Sequence, residues 1–563
     1  MSAVAVAPRR WAARAAVAML GVLLMVAGGL QLASSAHAAG STHVPIKGTG
    51  STWSGNMIAQ WVSNVYGNFG WVVNYTGTGS TTGRNDFATG QTQFGGTDIP
   101  YGISNSNEIE NLPNRSFAYM PIVAGGTSFM YNLEIGGKRV TNLRLSGDSI
   151  AKIFTGAITV WNDAQLQGEN PGLALPALPI VPVVRSDGAG ETAQFSIWMR
   201  QEHTAVWDAY CDKVGRPYVN GHCGVTSNYP VVPGSGFIAK AGSDGAAGYV
   251  AQDAAVGAIT MVQYSYALNL KFPVAKLLNA AGYYTEPTAQ NVAVALLSAN
   301  INQDKSSIDY LTQDLSGVYT SSDPRVYPLS SYSYVILPVN PDPGSAKQAN
   351  ITDDQGYTLA DFSAYFLCEG QQQADVLGYS PLPINLVLAG QDQIRRIPGG
   401  NPQIKGITDC NNPTFDPTDS SPQSNKLAKT APYPPECDKA GPQQCATGTG
   451  GAKDQPTATS GASGSGGGGG AGGAGTAAGG GSDAASASAL EAAAGGSGAV
   501  VADAAPVLVN ATPQTIPVAQ LGLLAPLAVL AAGVGLLLAA VLPPLLGRRR
   551  RTLHPILTRG SPR

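Results

Sequence analysis

Between residues 44 and about 400, short apolar runs alternate with amphipathic segments along the chain. Runs rich in apolar and β-branched residues predict strands, and apolar residues spaced three and four apart predict helices. The predicted strands are 119–124, 128–131, 180–184, 257–262 and 334–338. The predicted helices are 149–154, 191–201, 246–254, 288–299 and 359–368. This alternation is typical of an α/β protein with mostly parallel sheets.

The pentapeptide Gly-Thr-Gly-Ser-Thr occurs twice, at 48–52 and 77–81, each time after a short apolar run of β type. The first copy leads into a helical pattern with one apolar face. A strand, a turn of small hydroxyl residues and the start of a helix direct backbone N–H groups and hydroxyls at one point, which favours anion binding. With Asp98 and the segment 185–190, the two copies predict several segments that converge on one oxyanion.

The N-terminal segment has the pattern of a secretory signal. Arginines occur in the first 14 residues, residues 15–30 are apolar, and 36–38 fit a small-x-small cleavage site. We therefore predict a signal peptide over 1–38, with an uncleaved N-terminal anchor as the alternative.

A second apolar stretch predicts a membrane anchor. Residues 521–542 carry no charge and are long enough to span a bilayer, which places a transmembrane segment at 518–547. The tail 548–563 begins with four arginines, and by the positive-inside rule it stays in the cytoplasm. The sequence thus predicts a single-pass protein whose N-terminal part lies at the outer face of the cytoplasmic membrane.

The segment before the predicted anchor is a linker. Within 461–490, 27 of the 30 residues are Gly, Ala or Ser, a composition that cannot bury a core. We place the linker at 447–517 and an irregular extension, rich in Pro, Asn and Asp, at 401–446. The folded part that remains has roughly 400 residues, which indicates two domains or lobes.

Composition excludes several classes of function. Only 12% of the residues are charged and the net charge is −3, with no basic stripe for nucleic acid. The six cysteines all lie in the exported part, as in proteins of oxidising compartments. Their spacing and the scarcity of histidine argue against a metal site, and catalytic motifs are absent. We therefore predict no metal, no cofactor and no enzymatic activity.

Proximity along the sequence favours two disulfides, Cys211–Cys223 and Cys437–Cys445. The pair Cys368–Cys410 is then left. The pairing stays open at this point, because six cysteines allow many connectivities.

A series of motifs, taken in order, resembles the phosphate-binding proteins that serve ABC importers. They include Gly-Thr-Gly-Ser-Thr-Trp at 48–53, 73–80, Phe-Gly-Gly-Thr-Asp-Ile-Pro at 94–100, 153–156 with 161–163, 170–173, Val-Val-Arg-Ser-Asp-Gly at 183–188, and 257–259 with Tyr264 and Tyr266. The resemblance covers about 45–395. It implies a two-lobed, Venus-flytrap solute-binding fold with discontinuous lobes and inorganic phosphate in the cleft. Lobe one would be 44–125 with 326–400, and lobe two 126–325.

The resemblance also implies a ligand-binding set and partners. The implied ligand-binding residues are Thr52, Trp53, Ser80, Asp98, Arg185 and Gly190, with Asp187 holding Arg185. The implied partners are phosphate and an ABC importer permease. Each of these residues also has a purely structural alternative: Thr52 and Ser80 as helix N-caps, Asp98 as a turn former, Arg185 with Asp187 as a surface pair, and Trp53 as part of the core.

The chemistry of Asp98 suits phosphate. Near neutral pH phosphate still carries a proton, which a carboxylate can accept, whereas sulfate carries none. A buried carboxylate would therefore discriminate against sulfate by repulsion.

Two positions depart from the family pattern. Ala189 stands where the family usually has Ser, and Glu191 stands where a hydroxyl residue usually opens the next helix. If Glu191 faces the ligand, it adds an acceptor, and affinity for phosphate is expected to rise as the pH falls. Alternatively it complements its helix N-terminus or pairs with Arg84, and Thr192 supplies the hydroxyl. The ligand could then be another oxyanion, and the protein a surface sensor or adhesion module that feeds no transporter.

Overall fold

The computed structural model describes residues 42–459 apart from 342, 344, 401, 403–405, 407, 408, 417, 420, 422 and 423. The predicted signal peptide, most of the predicted linker, the predicted anchor at 518–547 and the basic tail lie outside the described residues. Among the residues that are described, no helix is long and apolar enough to cross a membrane.

Eight strands form the largest sheet. They are β1 (Ile46–Gly50), β2 (Val73–Gly77), β3 (Phe94–Thr97), β4 (Phe117–Tyr131), β5 (Val181–Arg185), β6 (Ile238–Lys240), β7 (Ala258–Gln263) and β8 (Ser330–Pro338). Their order across the sheet is β6-β5-β7-β4-β8-β3-β1-β2. Short strands pair outside it: Glu134–Ile135 with Lys138–Arg139, Tyr218–Val219 with His222–Cys223, Asn300–Ile301 with Gln313–Asp314, and Lys276–Leu278 between Arg144–Leu145 and Tyr284–Thr285.

The long strand β4 joins two halves of this sheet. Its first part, up to Gly126, pairs antiparallel with β8, and its last part, from Thr127, pairs antiparallel with β7. On either side lie parallel pairs: β1 with β2 and β3, and β5 with β6 and β7. The sheet is therefore mixed, where the sequence predicts mostly parallel pairing.

The predicted strands 119–124 and 128–131 are one strand. The sequence between them contains Gly125 and Gly126, which predict a break. In the structure these glycines give room to neighbours instead: a Cβ on Gly125 would lie 2.8 Å from the Trp53 ring, and one on Gly126 would lie 2.3 Å from Pro287. Glycine inside a strand often marks such a close approach.

The structure contains thirteen described α-helices. They are α1 (Gly55–Phe69), α2 (Ser80–Ala88), α3 (Gly147–Phe154), α4 (Ala164–Glu169), α5 (Gly190–Glu202), α6 (Thr204–Val214), α7 (Gly242–Val250), α8 (Tyr264–Asn269), α9 (Ala289–Ala295), α10 (Ser316–Tyr319), α11 (Asp353–Leu367), α12 (Ile384–Ile394) and α13 (Lys426–Thr430). Each predicted helix overlaps one of them, although α11 starts six residues before the predicted 359. Its start is a capping box of Thr352 and Gln355, a signal present in the sequence.

One hydrophobic cluster holds α7 and α8 against the sheet half made by β5 and β7. Its members are apolar and almost fully buried, and they include Met130, Val183, Ala247, Val262 and Ala267. These positions are the inward faces of alternating strands and helices, as the α/β pattern requires.

The three disulfides are Cys211–Cys223, Cys368–Cys410 and Cys437–Cys445, and no cysteine of the described chain is free. The pairing favoured by proximity is confirmed. The bond at Cys410 fixes the start of the C-terminal extension to the end of α11.

The linker begins later than the predicted residue 447, because residues up to Thr459 are packed. Thr449 donates from its backbone N–H to the Thr141 carbonyl at 2.9 Å and from Oγ1 to the Val274 carbonyl at 2.5 Å. Gly451 lies so close to α8 that a Cβ would stand 2.4 Å from the Ala267 carbonyl. The small residues that suggest flexibility are here the ones that permit close packing.

Candidate functional site

The two pentapeptide turns lie side by side. β1 and β2 are parallel neighbours, and Gly50 at the end of one is in register with Gly77 of the other. β3 pairs parallel on the opposite side of β1, so that its end at Thr97 reaches the same edge of the sheet. The carboxyl ends of three parallel strands therefore bring both turns and Asp98 together.

Equivalent serines of the two pentapeptides both bind Asp98. Ser51 Oγ donates to the two carboxylate oxygens at 2.9 and 2.8 Å, and Ser80 Oγ donates to Oδ2 at 2.9 Å. A third hydroxyl, Ser333 Oγ, donates to Oδ1 at 2.7 Å. Burial raises the pKa of Asp98, and the three hydroxyls only partly offset this. The repeat in the sequence is thus a pair of donors for one buried carboxyl.

Equivalent threonines of the pentapeptides form hydrogen bonds with Ser243 and Ser227, two serines from later in the chain. Thr52 Oγ1 accepts from the Ser243 backbone N–H at 3.1 Å and shares a 2.9 Å hydrogen bond with its hydroxyl. Thr81 Oγ1 donates to Ser227 Oγ at 3.0 Å. Neither Thr52 nor Ser80 caps its helix with its side chain: α1 follows Ser54 and α2 follows Gly79, both without a side-chain capping bond.

Arg185 ends β5 and is held in a fixed orientation. Its Nε donates to Asp187 Oδ1 at 2.9 Å, and its Nη2 forms a second, short hydrogen bond to Oδ2 of the same carboxylate. Nη1 donates to Ser243 Oγ at 3.0 Å. Burial disfavours the charge of the guanidinium, but Glu191 and Asp187 outweigh it and raise the pKa of Arg185. The group therefore stays charged although it is only 2% exposed.

The N-terminus of α5 lies directly against Asp98. A Cβ on Gly190 would stand 2.7 Å from Asp98 Oδ2 and from Ser80 Oγ, so only glycine permits this approach. The helix has 13 residues, and its N-cap Ala189 makes no side-chain hydrogen bond. The first-turn N–H groups of such a helix favour an anion.

Glu191, in that first turn, points into the cluster and is 1% exposed. Its Oε2 lies 3.7 Å from Arg185 Nη1 and accepts from Ser243 Oγ at 3.4 Å. Its Oε1 has no hydrogen-bond partner among the described residues, and neither has the buried hydroxyl of Thr192. Burial, the largest cause, raises the pKa of Glu191 to about 8.

The alternative pairing of Glu191 with Arg84 is wrong. The Arg84 guanidinium is completely buried and forms a salt bridge with Glu110, and its Nη1 donates to Thr97 Oγ1 at 3.1 Å. Arg84 therefore offers no charge to Glu191.

Trp53 does not reach this cluster with its side chain. The indole is buried in the core, where Nε1 donates to Thr127 Oγ1 at 3.1 Å and the ring touches Gly125. Three residues that the sequence does not single out are part of the cluster instead: Ser51, Ser243 and Ser333. Ser51 could have been predicted from the sequence, because it occupies the position of Ser80 in the repeat. Ser243 also has a signal, since it follows a glycine at a helix start as Ser80 does.

The cluster can hold an oxyanion chemically. It offers a fixed guanidinium, the unpartnered hydroxyl of Thr192 and a helix N-terminus as donors, and Asp98 as an acceptor. In the part of the chain that the structure describes, no group of three or more His, Cys, Asp or Glu side chains could hold a metal ion.

Comparison of this chain with known proteins shows the family to which it belongs. Residues 33–369, more than half of the chain, match the model of the PBP superfamily domain. The chain belongs to the PBP superfamily. Within it, the chain belongs to the PstS family: it is 31% identical to the phosphate-binding protein PstS of Xylella fastidiosa strain 9a5c over 345 residues, which cover 61% of this chain and 83% of that protein.

A second curated protein and a solved structure are also similar to this chain. Phosphate-binding protein PstS 2 of Mycobacterium tuberculosis strain H37Rv is 28% identical over 392 residues, 66% of this chain and 94% of that one. The solved structure of a high affinity periplasmic phosphate-binding protein, bound with phosphate, has a TM-score of 0.46 and 18% identity, and covers 62% of this chain and 93% of that chain.

Proposed function

We propose that this PstS-family chain captures inorganic phosphate, one ion per protein, in a cleft between two lobes. The lobes are those expected from the sequence, 44–125 with 326–400 and 126–325. The curated relatives that this chain matches over most of their length are named phosphate-binding proteins. Their names support phosphate as the ligand, and a role in binding rather than in catalysis. The proposed ligand-binding set keeps Thr52, Ser80, Asp98, Arg185, Gly190 and Glu191, with Asp187 holding Arg185. Ser51, Ser243 and Thr192 are added, and Trp53 is removed.

The observation that carries this proposal is Asp98 within a ring of donors. Hydroxyls of Ser51, Ser80 and Ser333 surround it, and Gly190 brings a helix N-terminus against it. The helix N-terminus and Arg185 suit any tetrahedral oxyanion, but the acceptor Asp98, which the hydroxyls hold in place, suits only one that carries a proton. Phosphate meets that condition near neutral pH and sulfate does not.

Delivery to an ABC importer and attachment to the membrane complete the proposal. The signal pattern at 1–38 supports export, and the uncharged stretch at 521–542, followed by arginines, supports an anchor in the cytoplasmic membrane. The linker would let the folded part move above a permease in the same membrane.

Titration calorimetry of the purified protein with phosphate and with sulfate tests the ligand. We expect one phosphate per chain and at least about a hundredfold weaker binding of sulfate, a difference of about 3 kcal/mol for an uncompensated buried acceptor. Asp98→Asn should narrow that gap, because an amide can donate to sulfate, whereas Asp253→Asn, at an exposed position, should leave it unchanged. Equal affinity of the wild-type protein for both ions would overturn the role of Asp98.

A further inference from the structure

Glu191 is a second buried carboxyl beside Arg185, and its surroundings do not suit a negative charge. Asp187 already engages Arg185 through two hydrogen bonds, while Glu191 Oε2 stands 3.7 Å from Nη1. Among the described residues, the side chain of Glu191 has one hydrogen bond, the long one from Ser243, and its Oε1 is buried without a partner. An ionised Glu191 would therefore leave a charged oxygen unsolvated, which is costly.

Acidic groups outnumber basic ones around this side chain. The titratable groups that act on Glu191 come from β5 and the loop after it, from the loop after β3 and from α8: Arg185, Asp187, Asp98 and Tyr266. Asp244 of α7 acts on the same Arg185. Three carboxyls besides Glu191 therefore share one guanidinium. A further negative charge, and a phosphate in addition, would be strongly repelled.

We propose that Glu191 binds the anion as a neutral carboxylic acid that donates a hydrogen bond from its free oxygen, and that loss of its proton expels the ligand. The proposal rests on the proposed function and names the residue that makes binding depend on pH. It reverses the role that the sequence suggests, since Glu191 is here a donor and not a second acceptor. Asp98 remains the acceptor, so the two carboxyls of the site have opposite roles.

The raised pKa of Glu191 agrees with this geometry. Burial raises the pKa of Glu191 to about 8 in the absence of ligand, and a bound anion raises it further. Below pH 8 the acid is neutral and can donate. Above pH 8 binding must first restore the proton, so affinity falls as the pH rises, by about tenfold for each pH unit.

The experiment compares phosphate affinity of the wild-type protein and Glu191→Gln at about pH 7 and about pH 9. The glutamine amide keeps a donor of the same size and cannot ionise. Phosphate's own titration affects both proteins equally, so the ratio of their dissociation constants isolates Glu191. We expect a ratio within about threefold of one at pH 7, and about tenfold tighter binding by the variant at pH 9. Glu202→Gln, an exposed position on the same helix, is the matched control.

A second measurement does not depend on the variant binding phosphate. Infrared spectra of the ligand-free protein should show the C=O stretch of a protonated carboxyl at pH 7, absent in Glu191→Gln and lost on raising the pH through 8. Two results would overturn the proposal while the proposed function stands. One is phosphate binding by the wild-type protein with the same ratio of dissociation constants at both pH values. The other is an infrared spectrum of Glu191→Gln in which the protonated-carboxyl band of the wild-type protein is still present. If the wild-type protein binds no phosphate at either pH, the proposed function fails, and the infrared band alone decides the protonation of Glu191.

Discussion

Ser333 Oγ donates a 2.7 Å hydrogen bond to Asp98 Oδ1 although the two residues are 235 positions apart. The contact is set by the sheet: β8 runs antiparallel to β3 with Tyr334 in register with Thr97, which places Ser333 beside the residue that follows β3. The same hydroxyl lies 2.9 Å from Ser54 Oγ at the start of α1. A strand from late in the chain therefore completes the hydrogen bonding of the buried carboxyl.

Replacing Ser333 by Ala should destabilise the protein and the carboxylate together. Asp98 would lose one of three hydroxyl donors in a buried setting, which costs about 1–2 kcal/mol of the free energy of unfolding. Loss of a donor to the ionised form should also raise the pKa of Asp98 further. Urea unfolding at pH 7 checks the stability, with Ser345→Ala, at an exposed position, as the control. Unchanged stability of Ser333→Ala would show that the hydrogen bond contributes nothing.

A second carboxylate, Glu108, joins the segment after β3 to the segment after Cys223. It accepts hydrogen bonds from Thr226 Oγ1 at 2.6 Å and from the backbone and the hydroxyl of Ser227 at 2.9 and 2.7 Å. Ser227 also meets Thr81 of the second pentapeptide. If these segments belong to different lobes, Glu108 is a latch of the closed cleft.

We therefore expect Glu108→Ala to weaken phosphate binding by about tenfold, although Glu108 is no part of the ligand-binding set. Burial acts to raise the pKa of Glu108, but its hydrogen bonds outweigh this and lower it. The latch is thus fully present above the ordinary pKa of a glutamate and is lost as the pH falls through the lowered value. Calorimetry at pH 7 and at a series of values below about pH 4 measures both effects, with Asn107→Ala as the neighbouring control. An affinity that is unaffected by Glu108→Ala would contradict the latch.

Local patterns in the sequence were sufficient for part of this site. The repeat identifies Ser51 and Ser80 as equivalent, and a strand ending at Thr97 beside them brings in Asp98. Ser333 could not be found in this way, because nothing in its own surroundings marks it and only the register of β8 gives it a partner. Register is a tertiary property, decided by which faces of the strands are buried.

Trp53 and residues 447–459 are cases in which the local sequence gives the wrong prediction, because tertiary packing decides where they lie. Trp53 follows the first pentapeptide directly, yet the way its helix packs turns the indole toward Thr127 and the core. Residues 447–459 have the composition of a tether, yet Thr449 and the glycines after it find partners on the neighbouring surface. Composition reports what a segment can bury by itself, and not what another part of the chain offers it.

The disulfide Cys368–Cys410 should contribute more stability than the two short-range ones. It closes a loop of 42 residues, against 12 and 8 for the others, and the loss of chain entropy in the unfolded state grows with loop length. We expect Cys368→Ser with Cys410→Ser to lower the free energy of unfolding by about 2–4 kcal/mol. Thiol labelling of the denatured, non-reduced wild-type protein should detect no free thiol. A stoichiometric label would contradict full pairing of the six cysteines.

Two truncated chains test separately the predicted anchor and the packed segment 447–459. A chain that ends at Thr459 lacks the predicted anchor at 518–547 but keeps the residues that pack on the folded part. It should appear in the soluble fraction and bind phosphate as the whole protein does. If it stays with the membrane, the anchor assignment is wrong.

A chain that ends at residue 446 should also be soluble but less stable. It loses the hydrogen bonds of Thr449 with Thr141 and Val274, as well as Gly450, whose backbone N–H donates to Glu286 Oε2 at 2.9 Å. Burial raises the pKa of Glu286, and one of its hydrogen bonds would be gone while the carboxyl remains in place. We expect a loss of about 1–3 kcal/mol relative to the chain that ends at Thr459, measured by urea unfolding. Equal stability of the two truncated chains would mean that residues 447–459 do not stabilise the folded part. The linker would then begin at residue 447, as its composition predicts.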